Sequence, residues 1–273
     1  MKNIYGTIGY TILKNINNNN KIIIFADMHN SLHTCTNQIN ISEWFKSKFE
    51  TSEILLEEVP RDNFVLEELW SNSLHTQQLK NLFLENPKKI NAVDIRPYMI
   101  PFSWEVVDDE NNMNLKQYLE NIDYFFSLKD LFLHKKLQNY NIKYLKNKNL
   151  GKHYLQIKTY YKSFLEENKH LLNITIKELY HTNINCLNNI NNILDNIMEW
   201  YICAKINIYN KRPIILHTGL AHSEKVIDLL CEYYKYKIIL KQGINKMDET
   251  VLNNISGCIS LPENMDNLFG GQF

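Results

Sequence analysis

The sequence predicts an α/β fold: a central mixed, largely parallel β-sheet flanked by helices, with an all-helical insertion. Three observations predict it. Short apolar runs that stop abruptly at polar residues, in KIIIFADMH, SEILLEEVP, KINAVDIRP and PIILHTGLAH, read as buried strands. Segments of helical periodicity separate those runs. Between about Asn111 and Asn210 the β signal fades, with no proline and a single glycine, Gly151.

The elements follow in order. Tyr5, Thr7, Gly9 and Thr11 alternate with Ile4, Ile8, Tyr10 and Ile12, which predicts one half-buried strand. NINNNN is a turn, and Lys21 to Phe25 returns as the other arm of a hairpin. Ile41, Trp44, Phe45 and Phe49 mark a helix over Ile39 to Phe49. A strand over Ile54 to Leu56 stops at Glu57, Glu58 and Pro60. Leu66, Leu69, Trp70 and Leu74 then stripe a helix over Asn63 to Leu84. Ile90 to Ile95 is the next strand, with Asp94 and Arg96 at its end before Pro97.

In the middle, Ile122, Phe125, Phe126 and Leu133 form one apolar stripe, and Leu187, Ile190, Leu194, Ile197, Met198 and Tyr201 another. The polar segment Asn139 to Lys152 reads as a joint between helices. After Arg212 come a strand and glycine turn, a helix over Ser223 to Tyr234, a strand over Lys237 to Leu240 and a short strand over Cys258 to Leu261. LPENMDNLFGGQF reads as an irregular, mobile end. The expected organisation is one domain, with core halves at 1–110 and 211–273 around an insertion at 111–210.

Composition narrows the function. Lys and Arg total 30 against 30 Asp and Glu, so the net charge is zero and no basic field invites nucleic acid. No apolar run approaches the ~20 residues of a membrane span, and the broken-up first residues are not read as a signal peptide. Five scattered cysteines without a CxxC pair indicate neither a zinc ribbon nor a disulfide framework, which points to a reducing, intracellular and cytoplasmic setting. HExxH, GxSxG, GxxxxGK[ST] and GxGxxG are all absent.

Four strand ends carry groups able to do chemistry. Asp27 and His29 sit two apart and project to one side of extended backbone; His29 alone also fits a satisfied rim histidine. Asn30 follows as a substrate contact. Only one of Glu57 and Glu58 can face a site, and Glu58 is favoured because Val59-Pro60 turns directly after it. Both also fit plain surface carboxylates. Asp94 and Arg96 are either an ion pair or a support and a substrate-binding guanidinium that stabilises negative charge. His222 follows Gly219 by three at a helix start. Imidazole and carboxylate donors of this kind suit Zn, Mn or Co, and such an ion would acidify a bound water.

In sequence order, FADMHN, LLEEVP, VDIR and HTGLAH resemble the group containing the TIKI and TraB proteins, the erythromycin esterases and the ChaN-like proteins. Ala26-Asp27-Met28-His29 is similar to its first Gly-x-x-His motif, with Ala in place of Gly. Glu58 matches its strand-end glutamate, Arg96 its arginine, and Gly219-Leu220-Ala221-His222 its second Gly-x-x-His motif. The likeness covers residues 20–100 and 210–240. It implies a shared α/β fold with one site between the motif-bearing halves, and one of three chemistries: metal-dependent peptide cleavage, ester hydrolysis, or haem or iron binding.

The leading expectation is a hydrolase acting on a small molecule or peptide. His29, Glu58 and His222 surround a divalent ion or an activated water. Asp27 is a further ligand or stands behind them with Asp94 and Gly219, and Arg96 orients the substrate or an oxyanion. One alternative is a non-catalytic haem- or metal-binding or structural module of the same fold. Another is a phosphoesterase of the PHP or amidohydrolase kind using Asp27, His29 and His33; the four-residue step from His29 to His33 and the lack of an eightfold βα pattern stand against it. The Asn-rich composition is similar to that of large DNA-virus proteins.

Overall fold

The computed structural model describes residues 2–28, 36, 38–59, 73–106, 112–127, 147–209, 211–252, 255–262 and 265–269. Three apolar strands lie side by side and parallel at the middle of a six-stranded sheet: β3 (Lys21–Asp27), β7 (Ile214–Gly219) and β5 (Glu53–Leu56). Their runs of Ile, Leu and Phe suit a sheet whose strands are covered on both faces. The sheet order is β6-β5-β7-β3-β2-β8. β6 (Ile90–Ala92) extends the parallel set, while β2 (Gly9–Asn15) and β8 (Tyr236–Gly243) run antiparallel to their neighbours. The α/β class with a mostly parallel mixed sheet is therefore as the sequence predicts.

The alternating first segment is two strands rather than one. β1 (Lys2–Tyr5) and β2 belong to different sheets, because Gly6 between them adopts φ +104°, a conformation open to glycine. β1 pairs with β4 (Gln38–Asn40) and β9 (Cys258–Leu261) in a three-stranded sheet. The hairpin between β2 and β3 forms as expected, with Asn19 left-handed at φ +59° and the Asn15 side chain accepting from the Asn17 amide at 2.9 Å.

One face of the large sheet, through Ile23, Phe25, Ile54, Leu56 and Ile215, packs on α1 (Ile41–Lys46) and α2 (Leu74–Glu85). Trp44, Phe45, Leu79, Leu82 and Phe83 supply the helical side, and Ile4, Ile259 and Leu261 of the small sheet join the same core. Burying a side chain of this size stabilises the fold by about 1.5–3 kcal/mol. Residues 39–40 are strand and N-cap instead of helix: the Asn40 side chain accepts the Ser42 amide at 2.9 Å and starts α1 at Ile41. Of the helix expected over Asn63 to Leu84, residues 63–72 lie outside the described set.

The insertion is helical: α3 (Leu115–Tyr118), α4 (Glu120–Ser127), α5 (Lys148–Glu167), α6 (Ile176–Thr182) and α7 (Ile184–Ile208). Lys148 to Lys152 is the first turn of α5, capped by Asn147, and not part of a joint. Residues Ile95–Ala204 form one unit; Met1–Asp94 with Lys205–Phe273 form the other. In the helical unit Phe125, Tyr154 and Trp200 pack ring on ring, with the Trp200 indole donating to the Leu150 carbonyl at 3.0 Å.

The final helices are α8 (Leu220–Tyr233), α9 (Glu249–Leu252) and α10 (Met265–Phe269). The expected irregular tail is thus partly ordered, since Met265 and Phe269 lie in the core and the Phe269 carbonyl accepts from the Ser52 hydroxyl at 2.7 Å. Cys186, Cys203 and Cys231 are free, whereas Cys258 is disulfide-bonded, a bond the scattered cysteine spacing does not signal. Cys35 is outside the described residues. Among the described residues no helix is long and apolar enough to cross a membrane.

Candidate functional site

Parallel alignment brings the carboxyl ends of β3, β7 and β5 to one edge of the sheet, where open α/β sheets bind ligands. Asp27 ends β3, opposite Gly219 at the end of β7. Glu57 directly follows β5, and Asp94 follows β6 by two residues. These positions, with His222 in the first turn of α8, all belong to the first unit.

Glu57, the neighbour of the favoured Glu58, reaches toward Gly219 and His222. Its amide donates to the His217 carbonyl at 3.0 Å and so continues the ladder with β7 for one residue beyond Leu56. The carboxylate then accepts the Gly219 amide at 2.7 Å, and its other oxygen lies 3.8 Å from His222 Nε2. The Glu57 side chain is 2% exposed and that of His222 12%, so the pair is nearly dry with the imidazole on the solvent side. Glu58 has already turned: its amide donates to the Leu56 carbonyl at 2.7 Å and its carbonyl accepts the Asp94 amide at 3.0 Å. The proline rule placed the turn one residue too late.

The second motif sits as its glycine suggests. Gly219 is the N-cap of α8, which starts at Leu220 rather than near Ser223, so His222 is helical. The Ser223 hydroxyl, buried, bonds the Thr218 hydroxyl at 2.7 Å and fastens the helix to β7. At the first motif the Ala26 methyl packs in a small cluster with Ile8, Leu220 and Ile244. Its carbonyl accepts from the Thr7 hydroxyl at 2.7 Å and the Ile8 amide at 2.9 Å. The alanine is thus a packed residue of the sheet.

Asp27 points to the other face of β3, the side of Phe25, and meets a residue that sequence reasoning did not find. His75, in the first turn of α2, places Nε2 at 2.9 Å from both Asp27 oxygens, and both side chains are fully buried. A carboxylate only accepts, so the proton of this bond is on Nε2. His75 Nδ1 is buried with no partner among the described residues, at a cost of about 1–3 kcal/mol. Tyr5 sets its ring edge-on to the imidazole, with centroids 6.0 Å apart. One Asp27 oxygen also accepts the Met28 amide at 2.8 Å. A lone His after Ser73-Leu74 carries no motif, and only the fold pairs it with Asp27.

The remaining expected residues divide. Asp94 is buried, two residues past the end of β6. Arg96 opens a short 3-10 turn in the second unit, where its guanidinium donates to Asp195 at 2.8 Å. His29, Asn30 and His33 lie outside the described residues. Among the described residues, no group of three His, Cys, Asp or Glu side chains is placed to hold one metal ion. Comparisons with protein-family models, curated proteins and solved structures find no match to this chain.

Proposed function

We propose that the protein is a hydrolase cleaving an ester or peptide bond at the carboxyl ends of β3, β5 and β7, as the resemblance to the TIKI/TraB and erythromycin-esterase group implies. The observation that carries the reading is the dry Glu57 carboxylate, anchored on the Gly219 amide and facing the partly exposed His222 imidazole. A carboxylate of this kind orients an imidazole and stabilises its protonated form. In the reaction, His222 takes a proton from water as the oxygen attacks the carbonyl carbon. It then returns the proton to the leaving oxygen or nitrogen as the tetrahedral adduct collapses. The amino-terminal end of α8 favours negative charge nearby.

A divalent ion would supply Lewis-acid help and a more acidic water. Of the donors expected for it, Glu57 takes the place given to Glu58, both Asp27 oxygens are held by His75, and His29 is outside the described residues. No step is routed through a metal here. A screen of p-nitrophenyl esters and fluorogenic peptides, with and without Mn, Co or Zn, tests the reading. His222→Ala is expected to lower turnover about 10²- to 10⁴-fold. Wild-type rates in that variant would sink the proposal.

A further inference from the structure

The Asp27–His75 pair is more than packing. A carboxylate and an imidazole buried together are weak contributors to stability compared with apolar residues of like volume. Here, in addition, Nδ1 is left without a partner among the described residues. The pair also sits at one particular place: Asp27 is the last residue of β3, at the edge where the Glu57–Gly219 bond lies in the neighbouring strands.

We infer that His75 is a positioning residue for the strand-end site, acting through Asp27. Its Nε2–H holds both carboxylate oxygens, and the carboxylate holds the Met28 amide, so the backbone leaving β3 is set in one direction. The ring is itself held from two sides. Tyr5 lies edge-on to it, and the Gly6 backbone approaches so closely that an added Cβ would come 3.0 Å from His75 Cβ. His217, two residues before Gly219 on β7, donates from Nε2 to the Gly6 carbonyl at 3.2 Å and holds that loop in turn. Site geometry of this kind is kept by side chains whose own rotamers are locked. The inference rests on the hydrolase reading for the reaction that the pair serves.

The test uses the full-length chain and two readouts: backbone amide exchange at Met28, and hydrolysis of the ester and peptide probes. His75→Leu is expected to raise Met28 exchange about tenfold or more with Ile23–Phe25 unchanged. It lowers kcat about 10- to 100-fold with KM within about twofold. His75→Gln, whose amide nitrogen can stand where Nε2 stands, restores both. Because His75→Leu strands a buried carboxylate, Asp27→Leu/His75→Leu, which removes both polar groups, is read the same way if the single variant does not fold. Unchanged Met28 exchange, unchanged kcat in a folded apolar variant, or failure of His75→Gln to restore either readout would overturn the inference. A wild-type protein inert toward every probe defeats the hydrolase reading instead, and the exchange readout then decides the positioning role alone.

Discussion

The Glu57 carboxylate accepts the Gly219 amide at 2.7 Å, tying the end of β5 to the point where β7 becomes α8. The two residues are 162 apart in sequence. Pairing of β5 with β7 already makes the two strand ends neighbours, and this bond fixes the Glu57 carboxylate on the Gly219 side, with its other oxygen 3.8 Å from His222 Nε2.

Glu57 and Glu58 are separable by mutation. Glu57→Gln keeps an acceptor for Gly219 but removes the charge facing His222, and is expected to lower hydrolysis about 10²-fold or more. Glu58→Gln is expected to stay within about threefold of wild type, since it keeps the side chain's size and leaves the Glu57–Gly219 bond and the His222 imidazole in place. Steady-state kinetics of both variants on the same ester probe checks this; the reverse ranking would restore Glu58 to the site.

Gly6 is held at φ +104°, and an added Cβ would come 2.7 Å from Ile41 Cγ2. Gly6→Ala combines a strained backbone with a clash against the core, and is expected to cost about 1–3 kcal/mol. Urea denaturation measures the loss. Unaltered stability would mean that the β1–β2 break tolerates a side chain.

Cysteine reactivity follows burial. Burial pushes the Cys186 thiol up from 9.0 to about 11, and burial with the nearby Glu199 charge pushes Cys203 further. At pH 8 about a thousandth of Cys186 is thiolate. Iodoacetamide followed by mass spectrometry is expected to label Cys231, which is only partly buried, before either. The sign for stability follows as well. A thiol whose folded pKa is raised contributes fully below pH 9, and that contribution is lost as pH climbs toward 11.

Phe269 is fully buried in the core cluster that includes Trp44 and Phe45, and its carbonyl accepts from the Ser52 hydroxyl. Phe269→Ala is expected to cost about 3–5 kcal/mol. A thermal-melt comparison with wild type reads this directly, and no change in Tm would show that the C-terminal helix is dispensable.

The α/β fold class and the main strand runs are legible in the chain itself. Runs such as Ile22 to Phe25 and Ile214 to Leu216, each ending at a polar residue, are local signals, because strand formation and burial are written into neighbouring residues. Helical stripes in the insertion are local in the same way, and every residue of the stripe from Leu187 to Tyr201 is buried. Side-chain partners are visible only once the chain is folded. Which of Glu57 and Glu58 turns inward depended on one more ladder bond to His217. Arg96 found Asp195 at a separation of 99 residues, and Asp27 found His75 at 48. Side-chain pairing over such distances depends on how strands and helices are ordered in space, and no periodicity in the chain encodes it.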